Sequence, residues 1–210
     1  TFNIQINPDG AGGTDSDLGG LEASVTIQAP TTVTITNDDS ATISISTAAS
    51  LVETDAATTH AFTVSSDADI QTNGTGFTIR VGQTDGTATS GSAFIGDGDY
   101  TNETFTYAGW NGDSGAGVIG GDNVAVAGDE IVELDETFNI QINPDGAGGT
   151  DSDLGGLEAS VTIQAPTTVT ITNDDSATIS ISTAASLVET DAATTHAFTV
   201  SSDADIQTNG

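Results

Sequence analysis

The chain has 210 residues, of which 31 are Asp or Glu and only one, Arg80, is basic, so its formal net charge at pH 7 is -30. A surface this acidic repels phosphates and excludes nucleic acid as a partner. The absence of Cys excludes a disulfide framework, and no apolar run is long enough for membrane insertion.

Internal repetition comes before any single element. Residues 1–74 and 137–210 are identical from TFNIQINPDG through SSDADIQTNG, an offset of 136 residues. With the boundary placed after NDD, residues 1–39 are the C-terminal part of a preceding module, 40–175 form a complete module, and 176–210 begin a following one. Neither partial module contains the counterpart of Thr75 to Glu136, so the two cannot complete each other.

The elements follow in chain order from period-two alternation. Thr1 to Asn7 reads as a strand. Ile43 and Ile45, Phe62 and Val64, then Phe77, Ile79 and Val81 each project to one face. Phe105 and Tyr107, Val124 and Val126, Phe138, Ile140 and Ile142, Val161 and Ile163, and Val169 and Ile171 repeat the pattern. No segment has a helical period. About eight short strands between Gly, Asp and Asn turns predict an all-β fold, a tandem array of antiparallel β-sandwiches with one apolar face per sheet. Ala165-Pro166 predicts a bulge or an edge position, where a missing backbone donor is tolerated. Ala108 to Asp122, with Trp110 as a cap, reads as a long flexible loop.

The chemistry lies in the acids. GDEIVELDE, residues 128–136, packs Asp129, Glu130, Glu133, Asp135 and Glu136 together. Carboxylates this close are either a solvated turn or the ligands of a hard cation; Ca2+ takes six to eight oxygens. If strands alternate in direction, the loop at Asp97-Gly-Asp99, the loop at Asp129 to Glu133 and the exit at Asn173-Asp174-Asp175 fall at one end. Asp135 and Glu136 read as the start of the next strand, with Glu136 facing solvent. Asp145, Asp151 and Asp153 read as solvated loop acids rather than a second, weak site.

LVET at 51–54, GTATSGS at 86–92 followed by GDGDY, VAVAGDEIVELDETFNIQI at 124–142 and the closing TVTITNDD together resemble a Calx-beta domain, a calcium-binding sandwich of the immunoglobulin-like kind. The resemblance covers the whole module. It implies Ca2+ as the cofactor and, position by position, Glu53, Asp99, Asp129, Glu130, Glu133, Asn173, Asp174 and Asp175 as its ligands. Asn173 stands where the family has an acid, which removes one negative charge and leaves an amide oxygen as ligand.

Enzymatic readings fare poorly. His60 and its repeat His196 have no Cys or Lys partner and read as surface or strand-edge residues, and crowded acids in a repeated linker do not form a glycosidase pair. The expectation is a non-enzymatic, calcium-stiffened structural repeat of an extracellular or cell-surface bacterial adhesin or fibre. Its partners would be neighbouring modules and identical chains. The alternative is a carbohydrate- or protein-binding sandwich that recognises its ligand through loops such as Ala108 to Asp122.

Overall fold

Alternating β-branched and small polar residues give the chain strands with one dry face, and the strands assort into paired layers. The computed structural model describes residues 1–7, 18–21, 24–71, 77–91, 98–108, 117–143, 146 and 151–207. Among these there is no helix, and hence none long and apolar enough to cross a membrane. The chain divides into two compact units, Thr1–Asp39 and Ser40–Gly210.

In the first unit, β1 (Phe2–Ile4) pairs antiparallel with β2 (Thr31–Val33), Phe2 opposite Val33. In the second unit, β3 (Ala41–Thr47), β4 (Ser50–Val52), β5 (Thr58–Ser66), β6 (Thr78–Asp85), β7 (Phe105–Ala108) and β8 (Gly117–Val126) are followed by β9 (Ile131–Val132), β10 (Glu136–Ile142), β11 (Val161–Ile163) and β12 (Thr167–Thr172). Beyond them come β13 (Ile179–Thr183), β14 (Phe198–Ser202) and β15 (Asp205–Ile206).

Residues 40–175 form a β-sandwich. One sheet has the order β4-β12-β10-β6-β7 and the other β11-β3-β5-β8. Ile43, Ile45, Phe62, Val64, Val124 and Val126 from one sheet meet Ile79, Val81, Phe138, Ile140, Val169 and Ile171 from the other in one core. Tyr100 stacks on Phe138 with centroids 4.7 Å apart, and its hydroxyl donates to Asp85 Oδ1 at 2.5 Å. These buried aliphatic and aromatic side chains supply the main stabilising term, about 1.5–3 kcal/mol each.

Two strands of the alternation switch layers. The chain leaves the four-stranded sheet after β3 and joins the five-stranded sheet as β4; it does the same between β11 and β12, across Gln164–Pro166. Ala165-Pro166 therefore marks a crossing between layers, with β11 an edge strand and β12 an interior one. Both split strands run alongside each other: β11 pairs parallel with β3, and β12 parallel with β4.

The long loop expected over Ala108 to Asp122 is corrected at both ends, and its residues 109–116 lie outside the described residues. Ala108 closes β7, and Gly117 to Asp122 belong to β8, paired with β5 across a register shift at Val64/Ser65. The glycines read as loop residues serve a bulged strand. A Cβ on Gly120 would enter the Tyr107 ring, and one on Gly121 would lie 2.8 Å from the Phe62 carbonyl oxygen. Trp110, Asp97 and Asp145 lie outside the described residues.

Arg80, the single basic residue, is structural. Its guanidinium donates to the Asp151 carbonyl, while its own N–H donates to Ser152 Oγ at 3.0 Å. Thr78 and Asp153 exchange backbone hydrogen bonds at 2.7 and 2.8 Å. Asp151 and Asp153 thus help hold a segment whose Ser152 and Leu154 are buried.

Candidate metal centre

Strand direction alone gathers the acids. β4 ends at Val52 and β12 at Thr172, side by side and parallel, so Glu53 and Asn173–Asp175 leave the sheet at the same end. The Glu53 N–H donates to the Thr172 carbonyl at 2.9 Å. β10 runs antiparallel to β12 with Glu136 opposite Ile171, which starts β10 at that end too. Asp99 joins them because Tyr100 bridges Val126 and the Ala127 N–H donates to the Asp99 carbonyl at 2.9 Å.

The remaining acids come from the turn after β8. Gly128 lies against the backbone of Thr54 and Ala56, where a Cβ would collide with both. Only glycine allows this approach, and it brings Asp129 beside Glu53. The Asp129 carboxylate accepts the Ile131 N–H at 2.7 Å, which fixes the turn.

Two carboxylate triads result among the described residues. Glu53, Asp129 and Asp175 place one oxygen each within 4.8 Å of one another, and so do Asp99, Glu133 and Glu136. Opposite ligands of a calcium ion with bonds of roughly 2.3–2.6 Å stand about 4.6–5.2 Å apart, so each triad has the span of half a calcium shell. Among the described residues, three buried oxygens at this end have no hydrogen-bond donor: Glu136 Oε2, Asn173 Oδ1 and Asp175 Oδ2. Buried acceptors without donors are costly, and a cation would satisfy all three.

The electrostatics agree. Burial, then Asp129, Glu133, Asp175 and Asp99, push the Glu53 carboxyl up to about 7. Burial, then Asp99, Glu133 and Glu53, push Glu136 up to about 8. Glu133 is raised by burial and by Asp99, Asp129 and Asp175. Each group resists ionisation because it is buried and, next, because its neighbours are anions and no basic side chain faces them; a divalent cation reverses the sign of the second interaction.

Of the residues expected from sequence, Glu53, Asp99, Asp129, Glu133 and Asp175 fall in the triads. Asn173 lies beside them, its amide donating to the Asp175 carbonyl at 3.1 Å and its oxygen left over. Glu130 and Asp174 are exposed and belong to neither triad. Glu136, expected to face solvent, is buried and completes the second triad. His60 is also buried, not a surface residue: its Nε2 lies 2.7 Å from Thr47 Oγ1 and 3.1 Å from the Ala48 carbonyl, with the ring edge-on to Phe138. Its role is packing.

No protein-family model matches the chain, and no curated protein matches it. Among solved structures it is similar to the calcium binding domain CBD12 of CALX1.1, at 15% identity over 62% of this chain and 46% of that one, with a TM-score of 0.35. It is similar to CBD12 from CALX1.2 at 17% identity over 60% of this chain and 41% of that one, TM-score 0.37. The third cohesin of ScaC from Acetivibrio cellulolyticus, solved in complex with the ScaB dockerin, matches at 14% identity over 62% of this chain and 99% of that one, TM-score 0.32. The chain spans less than half the length of either CBD12 chain. The sandwich rests on its own sheet order and core, and the site on its own residues.

Proposed function

We propose that the complete module binds two Ca2+ ions at this end, one in each triad, and that the ions stiffen a structural tandem array on a bacterial cell surface or in a secreted fibre. The observation that carries the reading is the composition of the first triad. Glu53 and Asp129 belong to the body of the sandwich, whereas Asp175 belongs to the linker leaving it.

A cation held by all three ties the linker to the body and removes its rotational freedom. Asn173 would add its amide oxygen, and Glu136 would anchor the second ion to the first residue of a core strand. A backbone contact supports the same junction: β15, in the start of the following module, pairs parallel with β9 in the acidic loop, and the Gln207 N–H donates to the Val132 carbonyl at 2.9 Å. Chelation should therefore free both the linker and the loop it rests on. The acidic, Cys-free and Lys-free composition suits an extracellular array, where calcium is abundant.

Because the chain has no Cys, two introduced thiols can be labelled without background. Spin labels at Thr162→Cys on the sandwich and Ser182→Cys beyond the junction should give a narrow distance distribution in calcium and a broad one in chelator. Equal widths in both would reduce Asn173-Asp174-Asp175 to a polar turn.

A further inference from the structure

Asp99 joins the second triad from outside any strand, and its carboxylate is nevertheless fixed. The Thr89 N–H donates to Asp99 Oδ2 at 2.6 Å, and the Thr89 hydroxyl donates to the same oxygen at 3.2 Å. The backbones are joined as well. The Asp99 N–H donates to the Thr89 carbonyl and the Gly91 N–H to the Tyr100 carbonyl, both at 2.9 Å, with Ser90 and Tyr100 forming a parallel bridge. A carboxylate oxygen offers two lone-pair sites, so Thr89 alone fills Oδ2. Only Oδ1 is left to face Glu133 and Glu136.

The segment that carries Thr89 is itself held on two sides. Asp85 Oδ1 accepts the Tyr100 hydroxyl at 2.5 Å and the Ser90 N–H at 2.9 Å. Ala88 is fully buried and donates its N–H to the Thr137 carbonyl at 2.9 Å, while the Thr137 N–H donates to Thr87 Oγ1 at 2.9 Å. Thr137 directly follows Glu136 in β10. Residues 87–89 therefore run from the backbone beside Glu136 to the carboxylate of Asp99, and they set the spacing of two acids of one triad.

The acids would not keep that spacing unaided. Without an ion, Asp99, Glu133 and Glu136 repel one another, and an untethered Asp side chain in a turn rotates out to water. We propose that Thr89 is a positioning residue of the second calcium site, holding Asp99 by Oδ2 before the ion arrives so that Asp99 binds through Oδ1 alone. This role rests on the calcium reading given above. Thr89 touches no ion; it acts by removing the cost of orienting a ligand, which is how donors behind metal-binding carboxylates strengthen a site.

Calcium titration of the 210-residue chain reads each site separately once the other is silenced. Glu53→Gln leaves the second triad intact, and Glu136→Gln leaves the first. In the Glu53→Gln protein, adding Thr89→Val keeps the shape and the N–H but removes the hydroxyl donor, and should weaken calcium binding by about tenfold. Thr89→Ser in its place should restore the affinity. In the Glu136→Gln protein, Thr89→Val should not move the isotherm. Because Thr89 is exposed, Thr89→Val alone should melt with the wild type in chelator, which a general packing role would not allow. Equal affinity with and without the hydroxyl in the Glu53→Gln protein, or an equal loss in both backgrounds, overturns the proposal while a wild type that takes up calcium keeps the calcium reading. A wild type that gives no calcium heat overturns that reading and the role of Thr89 with it.

Discussion

Replacing Glu136 with Gln separates the two roles of the buried acid. Glu136 opens β10, is 5% exposed, and has one oxygen without a donor. Its carboxyl is pushed up to about 8, first by burial and then by Asp99, Glu133 and Glu53. Gln keeps the shape and removes the charge. In chelator at pH 8.5 the variant should therefore be more stable than the wild type. Each pKa unit is worth about 1.4 kcal/mol; with the charge shared among neighbours and screened by water at the open end, a gain of about 2 kcal/mol is expected. In calcium the sign reverses. At free calcium a hundredfold above the dissociation constant, each of the two triads contributes about 2.7 kcal/mol to the wild type, and a hundredfold loss of affinity at the Glu136 triad cuts its share to about 0.4 kcal/mol. For a module of this size 1 kcal/mol is roughly 3–4 °C. Melting curves at pH 8.5 should thus show a calcium increment of roughly 19 °C in the wild type and about 11 °C in the variant, which starts higher and keeps the Glu53 triad. A variant that is less stable in chelator, or that keeps the full calcium increment, refutes the reasoning.

Three further outcomes follow from the same geometry. Without calcium, stability should fall as pH rises from 6.5 to 8.5: Glu53 and Glu136 have folded pKa values of about 7 and 8, above the ordinary 4.5, so the folded state holds more protons than the unfolded one in that window. His60, whose pKa is lowered by burial, acts only below 6.5, and saturating calcium should abolish the slope; equal melting temperatures at both pH values in chelator would contradict this. Asp129→Asn with Glu133→Gln should weaken calcium binding by at least about tenfold, whereas Glu130→Gln with Asp174→Asn should change it less than about threefold, as measured by titration calorimetry. Gly128→Ala should lower calcium affinity without altering any ligand, because its methyl group pushes the 128–134 turn off Thr54 and Ala56; an unchanged affinity would show that this contact does not position Asp129.

Much of the sandwich was legible because a half-buried strand writes its dry face at every second residue. The alternation marked Ile43, Phe62, Ile79, Phe138 and Val169 as inward, and all are buried. The same parity carried two residues that polarity obscured. Glu136 is in phase with Phe138 and Ile140, and His60 with Phe62 and Val64, so both point inward although a charged or titratable side chain reads as a surface residue. What the pattern does not encode is the layer to which a strand belongs. The switches after Thr47 and Ile163 leave the period unchanged, and only pairing assigns β4 and β12 to one sheet and β3 and β11 to the other. Gly120 and Gly121 misled for a related reason: glycine in a strand marks a close approach to Tyr107 and Phe62, a demand set by residues far away in the chain. The acidic end was partly legible, since strand direction predicts which loops converge, but the division into two triads depends on the packing of Gly128 and on Tyr100 seating Asp99.

The central claim is that the crowded carboxylates at one end of residues 40–175 are two calcium sites. Titration calorimetry of the 210-residue chain with CaCl2, repeated on Glu53→Gln with Glu136→Gln, tests it most directly. Two ions per chain are expected for the wild type, one for each triad, and loss of both in the double variant. Absence of calcium heat in the wild type, or an unchanged isotherm in the double variant, would contradict it.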